Sequence, residues 1–271
     1  MSRNAPVVVA RSGPVRTLTL NRPDRRNALD PAMIEALDSA LTDAEKDPHT
    51  RCLILNGAGK SFCAGADLQY FLSLSEVPGG PTPFLRKVSA VVTRLERSRL
   101  PVVAALHGHA VAGGLELALA CDVVVASDST LIGDGHIRNN LLPAAGSSVR
   151  MSRKVGDSMA RWLALTGRLV PAQRLTATGW LHAVVPGAEL LTTAEAVALE
   201  LAASSGPAQS AFKDLLHSLT TMNEEEGLAR ELADFEGHWN ANDIPASLTE
   251  FLRRRTTESE TRPANRHMTG A

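Results

Sequence analysis

The stretch "PVVAALHGHAVAGGLELALACDVVVAS", residues 101–127, decides how the chain is read. "PVVAAL" is a short β-branched apolar run and reads as a buried strand. "GGLELALA" has the composition of a helix, and "DVVVAS" is a second buried strand. Gly113 and Gly114 open the helix, so backbone N–H groups are left uncovered at an end that carries partial positive charge. Glu116 follows between Leu115 and Leu117. A carboxylate in an apolar helix is costly unless it is paired or used.

Working outward, a second glycine-rich stretch lies upstream, "NGAGKSFCAGADL", residues 56–68. Its Gly-Lys-Ser resembles the end of a phosphate-binding loop. Such a loop needs a glycine five residues before Gly59, and that position is Ile54, inside the strand "RCLILN". The nucleotide-binding reading is therefore set aside. "CAGADL" places Gly65 and Ala66 just before a short helix, a second set of exposed N–H donors. Two such donors on separate elements suit one carbonyl oxygen that gains negative charge during reaction. Taken singly, either glycine pair is explained as well by a tight turn or close helix packing.

Strands and helices alternate around these motifs. "VRTLTL", Val15 to Leu20, alternates as a strand. Asp30 is placed to cap a helix with Pro31 at its first position. Helices are predicted over Phe84 to Arg97, Asp157 to Thr166, Pro171 to Thr178, Leu190 to Ser204, Pro207 to Leu219 and Asn223 to Trp239. "SEVPGGPTP" breaks the chain before the helix at Phe84. The pattern predicts an α/β core over 1–204, a helical C-terminal region over 205–255, and a disordered tail over 256–271.

The 271 residues are 44% apolar, enough for a sizeable core, and carry 28 basic against 29 acidic side chains. That balance argues against a nucleic-acid or membrane partner. Three widely spaced cysteines, Cys52, Cys63 and Cys121, form neither a disulfide framework nor a zinc motif. With no apolar leader at the N-terminus, a soluble cytoplasmic protein is expected.

"LNRPDRRNAL", "GAGKSFCAGADL", the 101–127 stretch and "TGRLVPAQRLTATGWLHAVV" occur in that order between about Leu18 and Pro186. Together they resemble the crotonase superfamily, the enoyl-CoA hydratase/isomerase fold. The resemblance implies a crotonase-like spiral of ββα turns with a helical C-terminal trimerisation region, and a homotrimer or a dimer of trimers. It implies an acyl-CoA thioester substrate, no cofactor beyond the CoA carried by that substrate, no metal, and a place in fatty-acid metabolism. The amides of Ala66 and Gly113 match the oxyanion hole, and Glu116 matches one of two catalytic glutamates. Arg26, Ala28, Lys60 and Ala64 match the CoA-binding positions.

The pattern departs at one point. The second glutamate of the hydratases lies seven residues before the proline of a "P-G-A-G-G" turn. Here the turn is "LLPAAGSS", and seven residues before Pro143 stands His136. Histidine transfers protons near neutral pH, so a Glu116/His136 pair is a candidate for hydration. Asp134 is a candidate support for His136 if the backbone between them is extended. Isomerisation of a double bond, C–C hydrolysis of a β-diketone, and acyl-CoA binding without turnover are the alternatives. His107 and His109 are expected to be structural, Asp67 to cap a helix, Cys63 and Cys121 to fill the core. Ser61 lacks a base partner in the sequence.

Overall fold

The computed structural model describes residues 5–261. Strand β1 (Val7–Ser12) pairs antiparallel with β2 (Val15–Leu20), and Asp30 then caps α1 (Pro31–Lys46) by accepting the Met33 amide at 2.8 Å, with Pro31 at its start as expected. β3 (Cys52–Gly57) is buried at every residue. After α2 (Leu68–Ser73) and α3 (Thr82–Arg97), β4 (Val102–Leu106) pairs parallel with β3. β6 (Val123–Ser127) and β9 (Ala183–Val185) extend the same sheet, whose order is β1-β2-β3-β4-β6-β9.

Both faces of the sheet are covered at its central strands β3, β4 and β6, which is why these read as unbroken apolar runs. Leu53, Leu55, Ala104, Leu106 and Val124 face α1, α3 and α4 (Gly113–Leu119). Cys52, Ile54, Val103, Ala105 and Val125 face the other way, against Leu190, Ala194 and Ala198 of α7 (Leu190–Ala203). A second, three-stranded sheet joins β5 (His109–Val111), β7 (Leu131–Gly133) and β8 (Val170–Pro171). α5 (Ser147–Val155) and α6 (Asp157–Thr166) lie between β7 and β8 in the chain. The segment predicted as a helix at 171–178 is a 3-10 helix over Ala172–Thr178.

The chain forms two compact units, Met1–Lys213 and Asp214–Ala271, so the division falls within α8 (Gly206–Ser218), later than the boundary expected at 204/205. The second unit holds α9 (Glu224–Ala241) and α10 (Ile244–Thr261). Asn223 caps α9 in a capping box with Glu226. Of the expected tail, helix is described as far as Thr261, and 262–271 lie outside the described residues. The α/β core and the helical C-terminal region that the sequence led us to expect are both present.

Candidate active site

The residues after β3 form the wall of the site. Gly57 ends the strand where no side chain fits: a Cβ there would fall 2.5 Å from the Ser61 carbonyl and 2.7 Å from the Asn27 amide nitrogen. Asn27, fully buried with φ 56°, donates to the carbonyls of Ala58, Ser61 and Phe62 at 2.9, 2.7 and 3.1 Å. The Gly-Lys-Ser sequence is thus a tight loop stapled by one asparagine. Sequence reasoning missed Asn27, because its partners lie more than thirty residues away.

The chain from Cys63 to Asp67 then runs between two neighbours. Cys63 exchanges backbone bonds with His109 and Val111 of β5, at 3.0 and 3.1 Å. On the other side Ala64 donates to Arg26, Leu29 to Gly65, and Asp67 to Leu29, at 3.0, 2.8 and 2.9 Å. Gly65, at φ 95°, is packed so closely that a Cβ would lie 2.9 Å from the Ala112 Cβ and 3.2 Å from the Gly113 nitrogen. The two glycine turns therefore touch. Among the described residues, neither the Ala66 amide nor the Gly113 amide has an acceptor, and both residues line one cavity of about 140 Å³. Ala112 enters α4 at φ 50° and ψ −117°, a strained setting for alanine that aims the first amides of the helix.

Glu116, 3% exposed, projects from α4 into the same cavity. Its Oε1 accepts the amides of Ala145 and Ser147 at 2.8 and 3.1 Å, from the turn that leads into α5. Burial pushes its carboxyl above the ordinary glutamate range, against the pull of those amides and of His136. The turn is itself held by Arg150, whose guanidinium donates to the Ala145 carbonyl at 2.8 Å and to Glu96 of α3 at 2.7 Å.

His136 also lines the cavity, with Nε2 4.0 Å from Glu116 Oε2. Its Nδ1 lies 2.9 Å from Oδ1 of Asp134. The two side chains meet, but not through an extended backbone. Gly135 takes φ 68° and His136 starts a 3-10 turn, so the carboxylate reaches back to the His136 amide at 3.4 Å. Burial acts to lower the His136 pKa, and the hydrogen bond and charge of Asp134, with the charge of Glu116, carry it above its ordinary value. Burial acts to raise Asp134, and its bonds to His136 and Ser147 hold it below its ordinary value.

Leu68, Phe71, Pro81, Leu85 and Val88 supply an apolar wall, so the "SEVPGGPTP" break and the helix after it do border the cavity. Ala64 lines it as well. Arg26 and Lys60 are exposed and Ala28 is buried, and none of the three belongs to the lining. Asp67 caps α2 through the amides of Gln69 and Tyr70 and pairs with Arg22 at 3.1 Å. Cys63 and Cys121 are buried. His107 contacts the Gly59 carbonyl at 3.1 Å. Ser61, for which the sequence offered no base, has its hydroxyl 3.4 Å from Nδ1 of His109, and neither residue lines the cavity. Among the described residues no group of three or more His, Cys, Asp or Glu is arranged to hold a metal ion, and no helix is long and apolar enough to cross a membrane.

The enoyl-CoA hydratase/isomerase family model matches residues 10–262. The chain is 32% identical over 252 residues to "Probable enoyl-CoA hydratase echA8" of Mycobacterium tuberculosis, covering 93% of this chain and 96% of the relative. It is 30% identical over 253 residues to the short-chain-enoyl-CoA hydratase of Clostridium acetobutylicum, covering 93% and 96%. The crystal structure of an enoyl-CoA hydratase from Bacillus anthracis superposes with a TM-score of 0.86 at 31% identity, covering 92% of this chain and 96% of that one.

Proposed function

The chain belongs to the enoyl-CoA hydratase/isomerase family, and from that premise we propose that it adds water across the double bond of a 2-enoyl-CoA, giving the 3-hydroxyacyl-CoA. One observation carries this reading. Two unpartnered amides, Ala66 and Gly113, share a cavity with a carboxylate and an imidazole whose nearest atoms are 4.0 Å apart.

The thioester oxygen sits between the two amides. Glu116 takes a proton from a water as its oxygen attacks C3. The π electrons move towards the carbonyl, and the amides bind the resulting oxyanion more strongly than the ground-state oxygen. His136, protonated at Nε2, gives a proton to C2 and collapses the enolate. The proton taken up by Glu116 then passes to His136 and restores the starting state. Position 136 thereby replaces the second carboxyl of the hydratases with an imidazole.

The CoA portion of the substrate runs past Ala64 and Ala28 towards Arg26 and Lys60, whose exposed cations suit its phosphates. In this reading the protein is a cytoplasmic homotrimer or dimer of trimers. The exposed Leu228, Leu232, Phe235 and Trp239, three to four residues apart on α9, support association through one helix face.

The test is incubation with crotonyl-CoA while the enoyl-thioester absorbance is followed. Loss of absorbance that is abolished in Glu116→Gln is the expected result. Tight acyl-CoA binding without turnover would replace hydration with a binding role. Migration of the double bond, or cleavage of a β-diketone without CoA, would replace it with another reaction of the family.

A further inference from the structure

The imidazole that faces the cavity is held from behind by two side chains. Ser147, the first residue of α5, donates its hydroxyl to Oδ2 of Asp134. Oδ1 of Asp134 faces Nδ1 of His136 at 2.9 Å and accepts the His136 backbone amide at 3.4 Å. Asp134 is 2% exposed, and Ser147 is fully buried. An ionised carboxylate only accepts, so a ring nitrogen facing it must carry the hydrogen. The other ring nitrogen, Nε2, is the one turned towards Glu116.

Ser147 also joins the two halves of the site. Its amide donates to Oε1 of Glu116 at 3.1 Å, while its hydroxyl holds Asp134. One residue thus fixes the base and the group behind the acid in a single register. Its own orientation is set by the turn that Arg150 clasps.

We propose that Asp134 and Ser147 are positioning residues that lock His136 as the Nδ1–H tautomer, leaving Nε2 as the sole ring nitrogen that exchanges protons in the cavity. Asp134 is buried behind the cavity lining and acts only through the imidazole. The proposal rests on the hydration reading for its catalytic consequence, though the tautomer itself does not. The ionisable groups acting on the ring are Asp134, from its own loop, and Glu116, from α4. Both are carboxyls, so both favour the imidazolium, in the direction that burial opposes. The arrangement has the logic of a buried aspartate that orients a general-base histidine without itself becoming protonated.

The experiment is a nitrogen-15 NMR titration of the histidine rings, with His136 assigned by its loss in His136→Gln. In the wild-type protein Nδ1 is expected to keep its hydrogen across the titration while Nε2 gains and loses one. Asp134→Asn is expected to move the His136 titration to lower pH and to reduce kcat on the order of 10²-fold or more, with KM little changed. Ser147→Ala is expected to keep the Nδ1–H form with a smaller loss of kcat, and serves if Asp134→Asn does not fold. A wild-type ring that is protonated at Nε2 when neutral would overturn the proposal. So would an Asp134→Asn protein whose ring titration and pH profile match the wild type. Absence of crotonyl-CoA turnover with the Nδ1–H form intact would overturn the hydration reading and leave the clamp standing.

Discussion

Nε2 of His136 stands 4.0 Å from Oε2 of Glu116, while the other oxygen of that glutamate is tied down by two backbone amides. The carboxylate is therefore held at one oxygen and free to work at the other. Glu116→Gln keeps the shape and an acceptor for the amides but removes the base. We expect kcat for hydration to fall by a factor on the order of 10²–10⁴ with the fold intact. Stopped-flow turnover and far-ultraviolet circular dichroism, measured together, check both halves of that statement.

In the proposed reaction the same pair sets the pH profile. That reaction needs Glu116 ionised and His136 protonated, and the surroundings of both groups push them above their ordinary values of 4.5 and 6.5. We expect a bell-shaped kcat/KM profile whose acid limb lies above the first figure and whose alkaline limb lies above the second. The two limbs belong to the coupled pair rather than to either residue alone. A profile that stays flat through the neutral range would remove His136 from the proton transfers.

Contact between the two glycine turns makes Gly65 a sensitive position. A methyl group there meets the Ala112 Cβ at 2.9 Å and has φ 95° to contend with. Gly65→Ala is expected to spread the turns and misplace at least one amide. Loss of one such donor costs on the order of 10²–10³ in kcat. Binding of a saturated acyl-CoA by calorimetry should weaken far less, because the apolar wall is untouched.

Arg150 is 9% exposed at its side chain and joins the Ala145 carbonyl to Glu96. Replacing it with methionine keeps much of the volume and deletes the charge. We expect a loss of about 3 kcal/mol in urea unfolding, the scale for breaking a largely buried ion pair. The turn whose amides hold Oε1 of Glu116 should loosen with it, so kcat should fall more than KM rises.

Acid should destabilise the first unit through specific carboxylates. Asp47 is drawn from 3.8 to about 2, first by Thr50 and then by the His49 amide, and Asp67 and Asp134 also lie below their ordinary values. The unfolded chain takes up these protons first. Their contribution is complete above about pH 4 and drains away as pH falls towards 2. Urea midpoints measured across that window should fall with pH, and Asp47→Asn should make the decline shallower.

The parts of the fold legible in the sequence were those with enough residues to show a period. β2, β3, β4 and β6 each carry five or six residues, and the helix read at Asp157 to Thr166 has those same limits in the structure. β5, β7 and β8 have two or three residues, too few for any alternation. α5 was missed because "SSVRMSRKV" is mostly polar and buries only one side. At the site, glycine placement pointed to Ala66, Gly113 and Glu116, and the turn motif to His136. Ser147, Arg150 and Asn27 gave no signal, because each acts on backbone groups or residues distant in the chain. The Asp134–His136 contact was anticipated, but from an extended backbone that Gly135 does not allow.

Helix α4 has seven residues, every one of them shut away from solvent. The donor end and the carboxylate therefore ride on a piece that offers almost no room for change. The opposite wall is built differently: Leu68 on α2 and Leu142 before α5 stand in the open. In the proposed reaction, chemistry and substrate choice are thus borne by separable parts, and redesign of acyl preference should begin at that outer wall, where a new side chain leaves the buried helix undisturbed.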